Sequence, residues 1–113
     1  MNPRSIKRLE DAAEACAKIG AFTRDHSLEQ FLDSDLLRSA VERQLEIIGE
    51  AFGIASKEDT SVDELIPELP RIVALRNRLI HGYDSVDPEL VWDLARHKVP
   101  SLMEQLKTVL KDH

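Results

Sequence analysis

The sequence holds a single cysteine, Cys16, so no internal disulfide can form and the chain must be held together by packing. Cys16 lies in the run Ala12-Ala13-Glu14-Ala15-Cys16-Ala17. No basic or histidine neighbour is there to lower its pKa, and it reads as a small buried hydrophobe rather than a reactive thiol. Aromatics are scarce: three phenylalanines, one tryptophan and one tyrosine. The longest uninterrupted apolar runs are three or four residues, which excludes a membrane-spanning helix. No stretch alternates with period two for long enough to make a strand. A lone free thiol without a recognisable signal peptide points to the cytoplasm.

Positive charge is also in short supply. The net charge is −6, which argues against a protein that coats nucleic acid through a broad basic surface. The deficit is uneven, however. Arg71 to Tyr83 carries three arginines and no acidic residue, whereas the other hundred residues carry 12 Lys/Arg and 21 Asp/Glu. A basic island on an acidic body can hold one or two phosphates but cannot track a long duplex.

What is present is helical periodicity over nearly the whole of 113 residues, with 42% apolar and 32% charged side chains. That is one soluble domain, residues 1–113, large enough for a core without disulfides or metals. Asn2 followed by Pro3 is a start signal for a first helix, with Ile6, Leu9, Ala13, Cys16 and Ala17 on one face. Ser27 can cap a short turn through Leu32. Asp33 or Ser34 caps a second long helix in which Leu37, Val41, Leu45, Ile48, Phe52 and Ala55 recur at spacings of three and four. Gly49 and Gly53 each cost that helix roughly 1 kcal/mol relative to alanine, so both are expected to serve close helix approach. Ser56 to Pro70 reads as a polar connection with a possible turn at Val62–Ile66. A third helix is expected from about Arg71 to His81, stopped by Gly82. Asp87-Pro88 opens a fourth, running to Val99, where Pro100 should kink or break the chain before a last helix with Leu102, Leu106, Val109 and Leu110. The expected architecture is all-α, an up-and-down bundle of four to five helices.

The segment Arg76-Asn77-Arg78-Leu79-Ile80-His81-Gly82-Tyr83 is where chemistry concentrates. It supplies a cationic clamp, an amide, a general acid–base and a phenol. Asn77 and His81 are i, i+4, so the amide could fix the imidazole tautomer. Arg76 and His81 stand about 140° apart on an ideal helix. They converge only if the helix frays at Gly82 or if two copies of the segment meet across a dimer. The second arrangement would gather two arginines and two histidines in one groove. These groups suit cleavage of an RNA phosphodiester by its own 2′-hydroxyl, with histidine moving the proton and arginine stabilising the phosphorane. Taken alone, the spacing also fits a plain structural role, with His81 at a helix C-terminus and Arg76 and Arg78 on a solvated face.

Elsewhere the signals are weaker. Glu42, Glu46 and Glu50 form an i, i+4 stripe, but no histidine has the Glu-x-x-His spacing of a bundle metal site, so no metal is expected. His26 and His97 read as surface or core residues, and Trp92 as a core or interface anchor. Arg78 could contact phosphate or pair with Asp84 or Asp87.

Arg76, four residues, His81, Gly82 and Tyr83 together resemble the HEPN superfamily motif, and more closely its HepT-like branch, in which a tyrosine follows the histidine after one residue. Ala40–Ala51, Val86–Trp92 and Val99–Leu102 are similar to flanking segments of that branch. The resemblance implies a helical homodimer that acts as a metal- and cofactor-independent endoribonuclease toxin of a two-gene toxin–antitoxin module. Arg76 and His81 would be catalytic at the dimer interface, with Asn77 and Arg78 supporting. The implied partner is a minimal nucleotidyltransferase antitoxin that adenylylates Tyr83. The alternative is a non-catalytic subunit that binds a nucleotide or that transferase.

Overall fold

Four helices, the two longest among them, start on a local capping signal. In the computed structural model, which describes residues 1–81 and 86–112, the Asn2 side chain accepts a hydrogen bond from the Ser5 N–H at 2.8 Å, and Pro3 occupies the first position of α1 (Pro3–Thr23). Ser27 and Gln30 cap α2 (Leu28–Asp33) reciprocally: each side chain accepts from the other residue's backbone N–H, at 3.1 and 2.8 Å. Such a box satisfies two donors that a helix start otherwise leaves bare. Ser34 caps α3 (Asp35–Glu58) through the Leu37 N–H at 3.0 Å. Asp87, accepting from the Glu89 N–H at 3.0 Å, caps α6 (Pro88–Asp93).

The expected turn near Val62 is a short helix, α4 (Ser61–Leu65). The third expected helix begins two residues early, as α5 (Leu69–His81). Pro70 therefore sits inside its first turn, where a missing N–H costs nothing because that donor has no partner anyway. The Gly82 stop lies outside the described residues.

Pro100 does not break the chain. The backbone passes from α6 through a widened turn of π-helix, Leu94–Lys98, into α7 (Val99–Lys111), with Pro100 in its first turn. In a regular α-helix the proline ring would collide with the carbonyl four residues back, here Arg96. Within the widened turn the Val99 N–H instead reaches back to the Leu94 carbonyl, so the helix is re-registered ahead of the proline.

α1 and α3 form the spine. α5 packs on α3 and α7 on α1, while α2 bridges α3 and α6. Leu9, Ile19, Phe31, Val41, Ile48, Phe52 and Leu106 are wholly or almost wholly buried among these elements. The Trp92 ring packs tilted against Phe31 at 5.2 Å between ring centroids, and the Arg96 guanidinium lies over it at 5.5 Å. Trp92 is the anchor its helical spacing suggests, joining α6 to α2. The architecture is all-helical, with no strand among the described residues, and no helix among them is long and apolar enough to cross a membrane.

Cys16 is 3% exposed in the α1 core face, and burial pushes its thiol up to about 12. Only the thiolate is nucleophilic, so at pH 8 about one thiol in ten thousand is reactive even before access is considered. Native protein should therefore resist alkylation at pH 8 and react fully once unfolded, as intact mass would show. Fast labelling of native protein would mean that the α1 face is not packed as described.

Candidate active site

Arg76, Asn77, Arg78 and His81 all lie on α5, with Arg78 and His81 in its last turn. Cations are favoured there by the partial negative charge on the last carbonyls. Tyr83 lies outside the described residues.

α5 is held by α3 through one unusually close approach. A Cβ built on Gly49 would stand 2.2 Å from the Arg76 Cβ, 2.8 Å from its Cγ and 3.1 Å from the Ile72 carbonyl oxygen. Nothing but glycine leaves room at that point. Gly53, which carries the same sequence signal, has nothing within 4 Å of its added Cβ. The expectation of close approach is met at the first glycine and not at the second.

The stem of Arg76 is thus pressed onto α3, and the residue is half-buried. Its Nε is buried without a hydrogen-bond partner among the described residues, while one terminal nitrogen donates to the Asn77 side-chain oxygen at 3.1 Å. Asn77 therefore orients the arginine, and its side chain makes no hydrogen bond with the His81 ring. An unsatisfied buried donor costs about 1–3 kcal/mol, and in a native structure it calls for an explanation. An anionic oxygen delivered by a ligand is one.

Among the described residues, no carboxylate is ion-paired with the arginines of α5, Arg71, Arg76 and Arg78. Arg78 is exposed and does not pair with Asp87, whose carboxylate caps α6; Asp84 lies outside the described residues. His81 is exposed. With Arg76 turned toward α3 and His81 about 140° further around the helix, a single copy of α5 does not bring the two functional groups together.

Along another face of α5, which neither Arg76 nor His81 lines, runs an apolar cleft of about 370 Å³ lined by Leu45 and Ile48, by Ile72 and Leu75 of α5, and by Leu90 and Leu102. Arg71, Arg78 and Lys98 stand at its edge with one acidic residue, Glu68. Leu90 is 39% exposed, and only Leu69 of α5 is fully buried. Arg71 and Arg78 are seven apart, two helical turns, so a shared face was readable from spacing. Lys98 had no such signal, because its position depends on the widened turn before Pro100.

The remaining candidates are bland. Glu46 pairs with Arg43 at 3.1 Å and Glu50 is exposed. Burial raises the carboxyl of Glu42 above its ordinary range, opposed by Arg38 and reinforced by Glu46. No three His, Cys, Asp or Glu side chains among the described residues come together as a metal site. His26 bonds the Phe22 carbonyl at 2.9 Å and His97 lies 3.7 Å from Asp93, both on the surface.

Comparison with known proteins identifies the family. The family described as "Ribonuclease HepT-like" matches residues 12–109. A Thermococcus cleftensis protein named "Probable ribonuclease HepT" is 37% identical over 105 residues, 91% of this chain and 93% of its own. A Methanocaldococcus jannaschii protein provisionally named an RNase is 33% identical over 115 residues, 99% of this chain and 93% of its own. One from Caldanaerobacter subterraneus, also provisionally named an RNase, is 31% identical over 103 residues, 91% of each chain. No solved structure gives a significant match. Together, the α5 constellation and these full-length likenesses mean that the chain belongs to the HepT-like ribonuclease family.

Proposed function

We propose that the protein is an endoribonuclease that cleaves RNA through the substrate's own 2′-hydroxyl, at a groove formed where two copies of α5 meet. The observation that carries this reading is Arg76: half-buried, free of any carboxylate among the described residues, with a buried N–H that has no partner. Such a group is built to receive an anion. A phosphodiester oxygen fits it, and its charge grows as the pentacoordinate phosphorus forms, which is when the arginine contributes most.

His81 moves the protons. In the attacking step an imidazole takes the proton of the 2′-hydroxyl as its oxygen bonds to phosphorus, and the 5′-oxygen of the next nucleotide leaves with a proton. The products are a 2′,3′-cyclic phosphate and a 5′-hydroxyl. In a two-fold dimer one histidine can act as base and the partner's as acid, which a single exposed His81 cannot do. Arg78, Arg71 and Lys98 would hold flanking phosphates.

The apolar cleft supports a second copy as its occupant. It borders the very helix whose arginine and histidine diverge, and its partly exposed leucines leave an apolar face uncovered. Two copies meeting here would gather the cations of both rims, and a phosphate backbone lying along them would offset their mutual repulsion. We assign the protein to a toxin–antitoxin pair with a nucleotidyltransferase, which would modify Tyr83.

The test of the reaction is an oligoribonucleotide beside the same sequence carrying one 2′-deoxy substitution at the cut. The first should be cleaved to a cyclic phosphate with chelator present and the second should survive; cleavage of both, or a strict need for a divalent ion, overturns the mechanism. The test of the assembly is sedimentation. Wild type should run as a dimer at micromolar concentration, and Leu90→Asp, which places a charge on the uncovered face, should shift it to monomer and lose cleavage with the helical signal retained. A monomeric wild type would remove the composite groove.

A further inference from the structure

We infer that Gly49 is a positioning residue for the reaction, setting where the Arg76 guanidinium sits by letting α5 lie against α3 without an intervening side chain. The inference rests on the catalytic role proposed for Arg76. Two observations carry it. A Cβ at Gly49 would fall 2.2 and 2.8 Å from the Cβ and Cγ of Arg76, the stem of the arginine itself, with the Ile72 carbonyl oxygen at 3.1 Å. Beyond that stem, Arg76 Nε is buried and the terminal nitrogen is tied to Asn77, so the guanidinium is aimed by the backbone to which it is attached and has little freedom to compensate.

The magnitude follows from packing. Carbon atoms rest about 3.5–4.0 Å apart, so an alanine at 49 must drive α5 away from α3 by roughly 1.3 Å at Arg76, since neither partner in the collision is a flexible chain end. Displacement of a catalytic group by about 1 Å can cost on the order of 10²-fold in rate. The loss belongs in kcat, because the arginine meets charge that develops in the transition state. KM, set by phosphates along Arg71, Arg78 and Lys98, should change little. Gly53 is the internal control. It lies one turn away on the same helix with nothing within 4 Å of its added Cβ, so Gly53→Ala tests loss of a helical glycine without the collision.

The experiment measures cleavage of one oligoribonucleotide by wild type, Gly49→Ala, Gly53→Ala and Arg76→Ala, alongside thermal melts. Gly49→Ala should lose on the order of 10²-fold in kcat with KM within a few-fold, and Gly53→Ala should match wild type. Should Gly49→Ala melt too low to assay, Gly49→Ala/Arg76→Gly removes both colliding atoms and should recover the lost melting temperature; no recovery overturns the inference. A folded Gly49→Ala enzyme with wild-type kcat also overturns it, and if Arg76→Ala is inactive in that case, the catalytic reading stands while the role of Gly49 falls. An Arg76→Ala protein that cleaves at the wild-type rate removes both.

Discussion

Replacing His81 with alanine should lower RNA cleavage by about 10²–10⁴-fold, the range that a positioned general acid–base contributes, while leaving the fold intact. His81 is exposed at the end of α5, and its side chain makes no hydrogen bond with a described residue. Surface changes of that kind stay within about 0.5 kcal/mol of stability, so the melt should not move by more than a few degrees. Arg76→Ala should cost on the order of 10²–10³-fold through lost stabilisation of the phosphorane. Its effect on stability is expected to be small, because truncation removes packing against Gly49 but also removes a buried N–H that has no partner. Asn77→Ala should act more weakly and in the same direction as Arg76→Ala, since the amide oxygen holds a terminal nitrogen of that arginine. The checks are cleavage kinetics and melts on the same preparations. A His81→Ala protein active at wild-type rate would leave the histidine as a helix-end residue and remove the proton-transfer step. Wild-type protein that cleaves nothing, yet is still modified by its transferase, would favour the non-catalytic binding subunit.

Four of the helix starts were legible because their causes are local. Asn2, Ser27, Ser34 and Asp87 each satisfy donors two or three residues away, and nothing distant has to be known to predict that. Pro100 left a kink and a break open because its consequence depends on whether the preceding turn can widen, which it does at Leu94–Lys98. Gly49 and Gly53 show the limit most clearly. Both carry the same propensity cost and the same spacing signal, and what separates them is the residue on another helix that faces each one. Asn77 illustrates the same point inside the site. Its i, i+4 relation to His81 is geometrically sound, but the oxygen is taken by its neighbour Arg76. The motif residues were therefore readable as a set, while their partners were not. The open seam between α5 and the α6–α7 rod, and the arrival of Lys98 at its edge, are products of tertiary packing that a single sequence does not display.

Tyr83→Phe should separate the enzyme from its control. The residue follows His81 by two positions in the sequence, and under the proposed function a group attached to it would act on the cations of α5. In the proposed modification the phenol oxygen attacks the α-phosphorus of a nucleoside triphosphate, pyrophosphate leaves, and a tyrosyl adenylate remains. That adenylate brings a phosphate with a negative charge to cations that are unmatched by any carboxylate among the described residues. Arginine binds phosphate strongly and in fixed geometry, so the attached group would occupy the clamp that RNA phosphate needs and repel the incoming strand. Inhibition would then require no unfolding. Phenylalanine retains the ring and lacks only the acceptor oxygen, so Tyr83→Phe should cleave RNA as wild type does and remain toxic when the transferase is co-expressed. Intact mass should show whole adenylate additions on wild-type protein and none on Tyr83→Phe. Modification that persists in Tyr83→Phe, or full neutralisation of that variant by a catalytically active transferase, would place the switch on another residue and leave the tyrosine without a regulatory role.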